Sequence, residues 1–200
     1  MSADRPPFRI LAICQTNAAR SRLAEAIIDT RGLKRPMGMV QGFSAGIRPL
    51  SSVNEYALVT LHNAGLGAIP RTTRALSSFE GETFDLVITL CDASTKACPR
   101  FAGARAQVQW LLPDPVQSIT PATVRVAFSD CFDALTQRIN ALLRLPLESL
   151  TAVELEVRAQ AIHNELVAPA ERTSVGVRGH TSDSLLTPVA NRHTMPPPHR

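Results

Sequence analysis

Cys14, Arg20 and Ser21 are the residues best placed to do chemistry: a thiol, then a guanidinium and a hydroxyl at the far end of the loop Cys14-Gln15-Thr16-Asn17-Ala18-Ala19-Arg20-Ser21. If that loop leads into a helix, the free N–H groups and positive dipole end of the helix favour a bound anion. The same field favours a thiolate over a thiol, and the thiolate is the nucleophilic form of cysteine. Arg20 adds planar, paired donors suited to two oxygens of a tetrahedral oxyanion, which a lysine ammonium cannot match. Ser21 can donate a hydrogen bond to the sulfur, and Asn tolerates the left-handed backbone that a tight anion loop needs. The spacing alone also fits a buried strand-end Cys followed by a solvated Arg.

The flanking elements decide between these readings. Phe8-Arg9-Ile10-Leu11-Ala12-Ile13 is a short, mostly apolar run that predicts a buried strand ending at Cys14. Arg22-Leu23-Ala24-Glu25-Ala26-Ile27-Ile28 consists of good helix formers with apolar residues three and four apart. The nucleophile therefore falls where strand meets helix.

A chain carrying Cys14, Arg20 and Ser21 in this setting, with Asn17 inside the loop, resembles the low-molecular-weight tyrosine phosphatase superfamily, including its arsenate reductase branch. The resemblance spans about residues 8–145. It implies an α/β fold of three layers, with a four-stranded parallel sheet flanked by helices, and an oxyanion held by residues 15–21 over Cys14. Thr16 departs from the pattern, because many members carry Gly there and Thr resists a positive φ. Ser44-Ala45-Gly46 occupies the place of a Ser-Ala-Gly motif, which implies that Ser44, with Asn17 and Ser21, supports the loop; an ordinary turn serine is the plain alternative.

Further elements follow from pattern. Gly32 with Pro36 beyond it predicts the end of the first helix, and a second strand is expected over Met39 to Ala45. Val53, Tyr56, Ala57, Leu58, Leu61 and Ala64 outline a helix capped by Ser51 or Ser52 and ended by Gly65. His62 reads as a surface residue. Phe84 to Leu90 is the clearest later strand, and it too ends at a cysteine. Strands alternating with helices point to a parallel sheet, whose ligands bind beyond the strands' carboxyl ends. Cys14 and Cys91 should share that edge.

Cys91 and Cys98 bracket a polar stretch. They fit a redox pair that meets only if the segment rearranges, since a disulfide needs Cα atoms within about 7 Å. Zinc is the competing reading, although no His or further Cys pair completes four ligands; two unconnected structural cysteines is the plain one. The resemblance narrows here to thioredoxin-coupled arsenate reductases, which carry Cys-Pro at this spacing. By that resemblance Cys14 attacks arsenic, Asp114 in Asp114-Pro115 protonates the leaving oxygen, Cys91 forms a disulfide with Cys14, and Cys98 then takes over Cys91. Thioredoxin or another external thiol would reduce the product, with no metal or organic cofactor. Val116 and Gln117 stand where phosphatases carry aromatics. Hydrolysis of phosphomonoesters and non-catalytic oxyanion sensing are the alternatives.

Ala122 to Leu145 reads as a long helix in which Cys131 is a buried small hydrophobe. The expected organisation is an N-terminal arm (1–7), the phosphatase-like domain (8–147), an extra helix (148–168) striped by Val153, Val157, Ala161 and Ile162, and a Ser-, Thr-, Gly-, Pro- and Arg-rich tail (169–200) without apolar surface to offset chain entropy. A net charge of +4, with Arg scattered among turn residues, does not imply nucleic acid. No apolar run approaches the roughly 20 residues of a membrane span, and the N-terminus is too polar for a secretory signal. The expected location is cytoplasmic, where four cysteines stay reduced.

Overall fold

A computed structural model of the chain describes residues 6–67, 69–91, 100–117 and 120–172, the last five of these for the backbone only. Its centre is a four-stranded parallel sheet in the order β2-β1-β3-β4, made of β1 (Phe8–Cys14), β2 (Val40–Gly46), β3 (Phe84–Thr89) and β4 (Ala104–Gln109). β1 is central and pairs with β2 from Phe8↔Val40 to Cys14↔Gly46, and with β3 from Ile10↔Leu86 to Ile13↔Thr89. Being covered on both faces, it can be apolar at nearly every position. Ile10, Ala12 and Cys14 enter one core, Leu11 and Ile13 the other.

Four helices, α1 (Arg20–Gly32), α2 (Glu55–Asn63), α3 (Pro121–Leu143) and α4 (Ala152–Arg172), all contribute to the larger core. The opposite face is covered, among the described residues, by a thinner aromatic layer in which Phe79, Phe84 and Phe101 meet edge to face at centroid separations of 5.6 and 5.7 Å. Phe79 comes from a short 3-10 turn over Leu76–Phe79. From β1 the chain runs first to β2 on one side and later to β3 on the other. The strand order therefore reverses between β1 and β3, where an open α/β sheet leaves a crevice for ligands. Cys14 and Cys91 both end there.

Several expectations are corrected in detail. α1 begins at Arg20 rather than Arg22. Gly32 is its last residue but has no left-handed backbone; a Cβ there would collide with the Val40 carbonyl, so its smallness serves packing on β2. The cap of α2 is Asn54, whose side chain accepts from the Tyr56 N–H at 2.9 Å, in place of Ser51 or Ser52. β4 starts at Ala104, with its alternating Ala106 and Val108 inward. α3 is closed at its start by a Thr120–Thr123 capping box.

α4 docks with Leu155, Ala159 and His163 inward and Ile162 packed against the core, whereas Val153 and Val157 are 70% and 64% exposed, so the valine half of the stripe read from sequence faces solvent. The helix runs to Arg172, into the stretch expected to be tail; residues 173–200 lie outside the described residues. Among the described residues, no helix is long and apolar enough to cross a membrane.

Where α3 meets α4, buried Arg138 donates through Nε to His163 Nδ1 at 3.1 Å. That bond requires the imidazole to be neutral at Nδ1. Burial, and then the Arg138 charge, push the His163 pKa from an ordinary 6.5 down to about 4. Between those two values the unfolded chain binds a proton that the folded chain refuses, so this stabilisation is complete above pH 6.5 and is lost as pH falls toward 4. Denaturant unfolding from pH 7 to 4.5 should show wild type losing stability more steeply than His163→Asn, which keeps an acceptor for Arg138, by up to about 1 kcal/mol per pH unit. Parallel curves would contradict this.

Candidate active site

The loop after Cys14 is fixed through its carbonyls. Those of Cys14, Gln15, Thr16 and Ala18 accept hydrogen bonds from the N–H groups of Ile47, Arg48, Leu50 and Asn54 at 3.2, 2.8, 3.1 and 2.8 Å. In a trans peptide the N–H points away from the C=O, so pinning four carbonyls to the segment after β2 turns the following N–H groups to the opposite side. Among the described residues, the N–H groups of residues 15 to 19 donate to no protein acceptor. With the start of α1 behind them, they form a cradle suited to an oxyanion.

Asn17 shapes that cradle. Among the described residues it alone, apart from glycines, has a left-handed backbone, with φ of 52°. Its buried amide is a three-way fastener: Oδ1 accepts from the Arg74 N–H at 2.7 Å, and Nδ2 donates to Ser21 Oγ at 2.9 Å and Ser44 Oγ at 2.8 Å. Ser44 passes its own proton toward Glu25 Oε2 at 2.7 Å, and Glu25 is held in turn by Arg22 and Arg74. Gly46 allows the close approach, since a Cβ would lie 2.8 Å from the Asn17 nitrogen. Thr16 needs no positive φ, which removes the objection raised by its side chain.

Cys14 is buried, with Sγ 3.0 Å from Ser21 Oγ. Asn17 already donates to that hydroxyl, so against a thiolate Ser21 is the donor. Arg20 is buried at the foot of α1. Its Nη1 donates to the carbonyls of Leu90 and Leu112 at 3.0 and 2.9 Å, and Nη2 pairs with Asp114 Oδ2 at 2.9 Å. One guanidinium thus joins the ends of β1, β3 and the loop after β4. Asp114 keeps its side chain 22% exposed at the mouth.

Cys91 follows Leu90, whose N–H donates to the Ile13 carbonyl at 2.7 Å, so it emerges beside Cys14. Its sulfur is disulfide-bonded, whereas Cys14 and Cys131 are free. Cys98 lies outside the described residues. Burial pushes the Cys131 thiol up to about 12, which makes it inert. Among the described residues, no three or more His, Cys, Asp or Glu side chains gather as they would around a metal ion. Sequence reasoning missed Glu25, Arg22 and Arg74, whose residue types suit any helix surface or loop. Only Glu25, one helical turn past Ser21, carried a faint positional signal.

Residues 9–159 match the model of the low molecular weight phosphotyrosine protein phosphatase family. An arsenate reductase of Brevibacillus brevis is 30% identical over 58% of this chain and 84% of its own length. The glutaredoxin arsenate reductase of Synechocystis is 25% identical over 54% and 78%. Among solved structures, a thioredoxin-dependent arsenate reductase of Corynebacterium glutamicum superposes with a TM-score of 0.54 at 22% identity, covering 74% of this chain and 66% of that one. This last likeness is one of fold.

The Ser21 hydrogen bond should be visible in the reactivity of Cys14. Ser21→Ala removes a bond to a charged acceptor worth about 1.5 kcal/mol, so alkylation of Cys14 by iodoacetamide at pH 7 should slow by about tenfold. An unchanged rate at pH 7 would contradict the assignment of Ser21 as donor.

Proposed function

The chain belongs to the low molecular weight phosphotyrosine protein phosphatase family, and from that premise we propose that it reduces arsenate to arsenite, using cysteine thiols as the source of two electrons. Cys14 as thiolate attacks arsenic while the amide cradle of residues 15–19 and Arg20 bind the oxygens. Arg20 turns from Asp114 to the oxyanion as it does so, and Asp114 delivers a proton so that one oxygen leaves as water. Cys91 then attacks Cys14 Sγ: a sulfur–sulfur bond forms, the sulfur–arsenic bond breaks, and its electron pair stays on arsenic, which departs as arsenite. Cys98 attacks Cys91, releasing Cys14 and leaving a Cys91–Cys98 disulfide for an external dithiol such as thioredoxin.

The observation that carries this reading is the second sulfur. Hydrolysis through a phosphocysteine needs one thiol and water, whereas this chain brings Cys91 to the same sheet edge and holds it in a disulfide while Cys14 stays free. The two relatives described as arsenate reductases support the reduction of arsenate in general, and no metal or organic cofactor enters the scheme. The family description itself favours a second reading, phosphomonoester hydrolysis, with water discharging phospho-Cys14. Val116 and Gln117 beside Asp114 give that reading no aromatic surface for an aryl group.

With thioredoxin, thioredoxin reductase and NADPH, wild type should turn over arsenate continuously. Cys98→Ser should give one arsenite per chain and then stop, and Cys91→Ser should give none. Sustained cycling by either variant would refute the relay, and activity on phosphomonoesters alone, indifferent to both changes, would establish the hydrolytic reading.

A further inference from the structure

β4 is the edge strand of the sheet, and the outward N–H and C=O groups of such an edge are ordinarily left to water or to another strand. Here α4 takes that place with side chains. Glu156 Oε1 accepts from the Gln107 N–H at 2.9 Å. Gln160 meets Gln109 at both ends, its Oε1 accepting from the Gln109 N–H at 3.0 Å and its Nε2 donating to the Gln109 carbonyl at 2.9 Å. The match is geometric: four residues of helix rise about 6 Å and two residues of strand about 6.6 Å, so side chains one helical turn apart meet alternate strand residues. One residue on, the buried Trp110 ring donates through Nε1 to the Ala159 carbonyl at 3.0 Å.

These bonds end where the acid loop begins. Residues 111–114 leave β4 with Leu111 39% exposed and the Leu112 side chain buried in the larger core, and the Leu112 carbonyl accepts from Arg20. The loop bearing Asp114 is thus suspended between Arg20 inside and the α4 anchor on Gln109 and Trp110 outside. When Arg20 turns to an oxyanion, the buried Leu112 side chain and the outer anchor both remain, and only the latter fixes the backbone where the loop leaves β4.

We infer that Gln160 is a positioning residue for the proton transfer, its amide fixing the start of the acid loop so that Asp114 keeps its aim when Arg20 releases it. The inference rests on Asp114 being the proton donor. Gln160 lies one residue past those matched by the family model, whereas Glu156 and Ala159 lie within them.

The test is a double-mutant cycle on the full chain, read as arsenite formed with thioredoxin, thioredoxin reductase and NADPH. Gln160→Leu keeps the volume and removes both hydrogen bonds; it should lower kcat by about fivefold with KM unchanged. In an Asp114→Asn background the same change should cost nothing further, since there is no aim left to lose. Amide exchange at residues 109–114 should quicken by about tenfold in Gln160→Leu, a readout that needs no activity. Gln160→Glu, which keeps the acceptor for the Gln109 N–H, should fall between the two and serves if the leucine variant folds poorly. An equal loss in both backgrounds, an undiminished kcat, or unchanged exchange would overturn the inference. If Asp114→Asn itself leaves turnover intact, the assignment of the proton donor fails first and is recognised as such.

Discussion

The site depends on one buried amide. Asn17 takes the left-handed backbone that lets the loop turn, and its side chain then ties the loop to the Arg74 backbone, to Ser44 on β2 and to Ser21 in α1. A buried amide of this kind is costly unless every hydrogen and lone pair finds a partner. Here both hydrogens are bound, and the two hydroxyls that accept them must point their own protons elsewhere, one to Glu25 and one to the Cys14 sulfur. The direction of the proton beside the Cys14 sulfur is therefore set by an amide two hydrogen bonds away from it.

Electrostatic order grows from the same frame. The carbonyls of the loop are consumed by the segment after β2, which leaves amide dipoles on the opposite side, in register with the start of α1. In the proposed reaction Arg20 has two tasks, because the guanidinium that pairs with Asp114 belongs to the residue that ends the cradle loop and opens α1. Moving it couples oxyanion binding to the freedom of Asp114. Such a site is organised before any ligand arrives, which is how fixed dipoles stabilise developing charge without reorganising. The buried guanidinium retains partners throughout, as burial of charge demands.

What could be read from the sequence, and what could not, divides along physical lines. Strand and helix patterns near Cys14 were legible because β1 and α1 are buried, and burial writes itself into residue type at short range. Asn17 and Ser44 were legible through a resemblance in motif. The roles of Glu25, Arg22 and Arg74 were not, since charged residues on a helix or loop look alike whether solvated or buried, and their meeting depends on tertiary placement. α4 misled for a related reason: its Val153 and Val157 suggested a docking stripe, yet they face solvent while Leu155 and Ala159 enter the core and Glu156 and Gln160 satisfy a sheet edge, an interaction that hydrophobic periodicity cannot register. Gly32 and Gly46 punctuate the chain as expected, but each is small because a neighbouring strand or loop comes too close for a Cβ.

The central claim is that an oxyanion accepted by Cys14 is reduced by electrons drawn from this chain's own thiols. Fully reduced protein, mixed with arsenate in the absence of any other reductant, tests it directly when arsenite is counted per chain and the cysteines are mapped by mass spectrometry. The account predicts one arsenite for each chain, the loss of two thiols, and a single disulfide that includes Cys91. Arsenate bound and released unchanged, with every thiol still free, would contradict it.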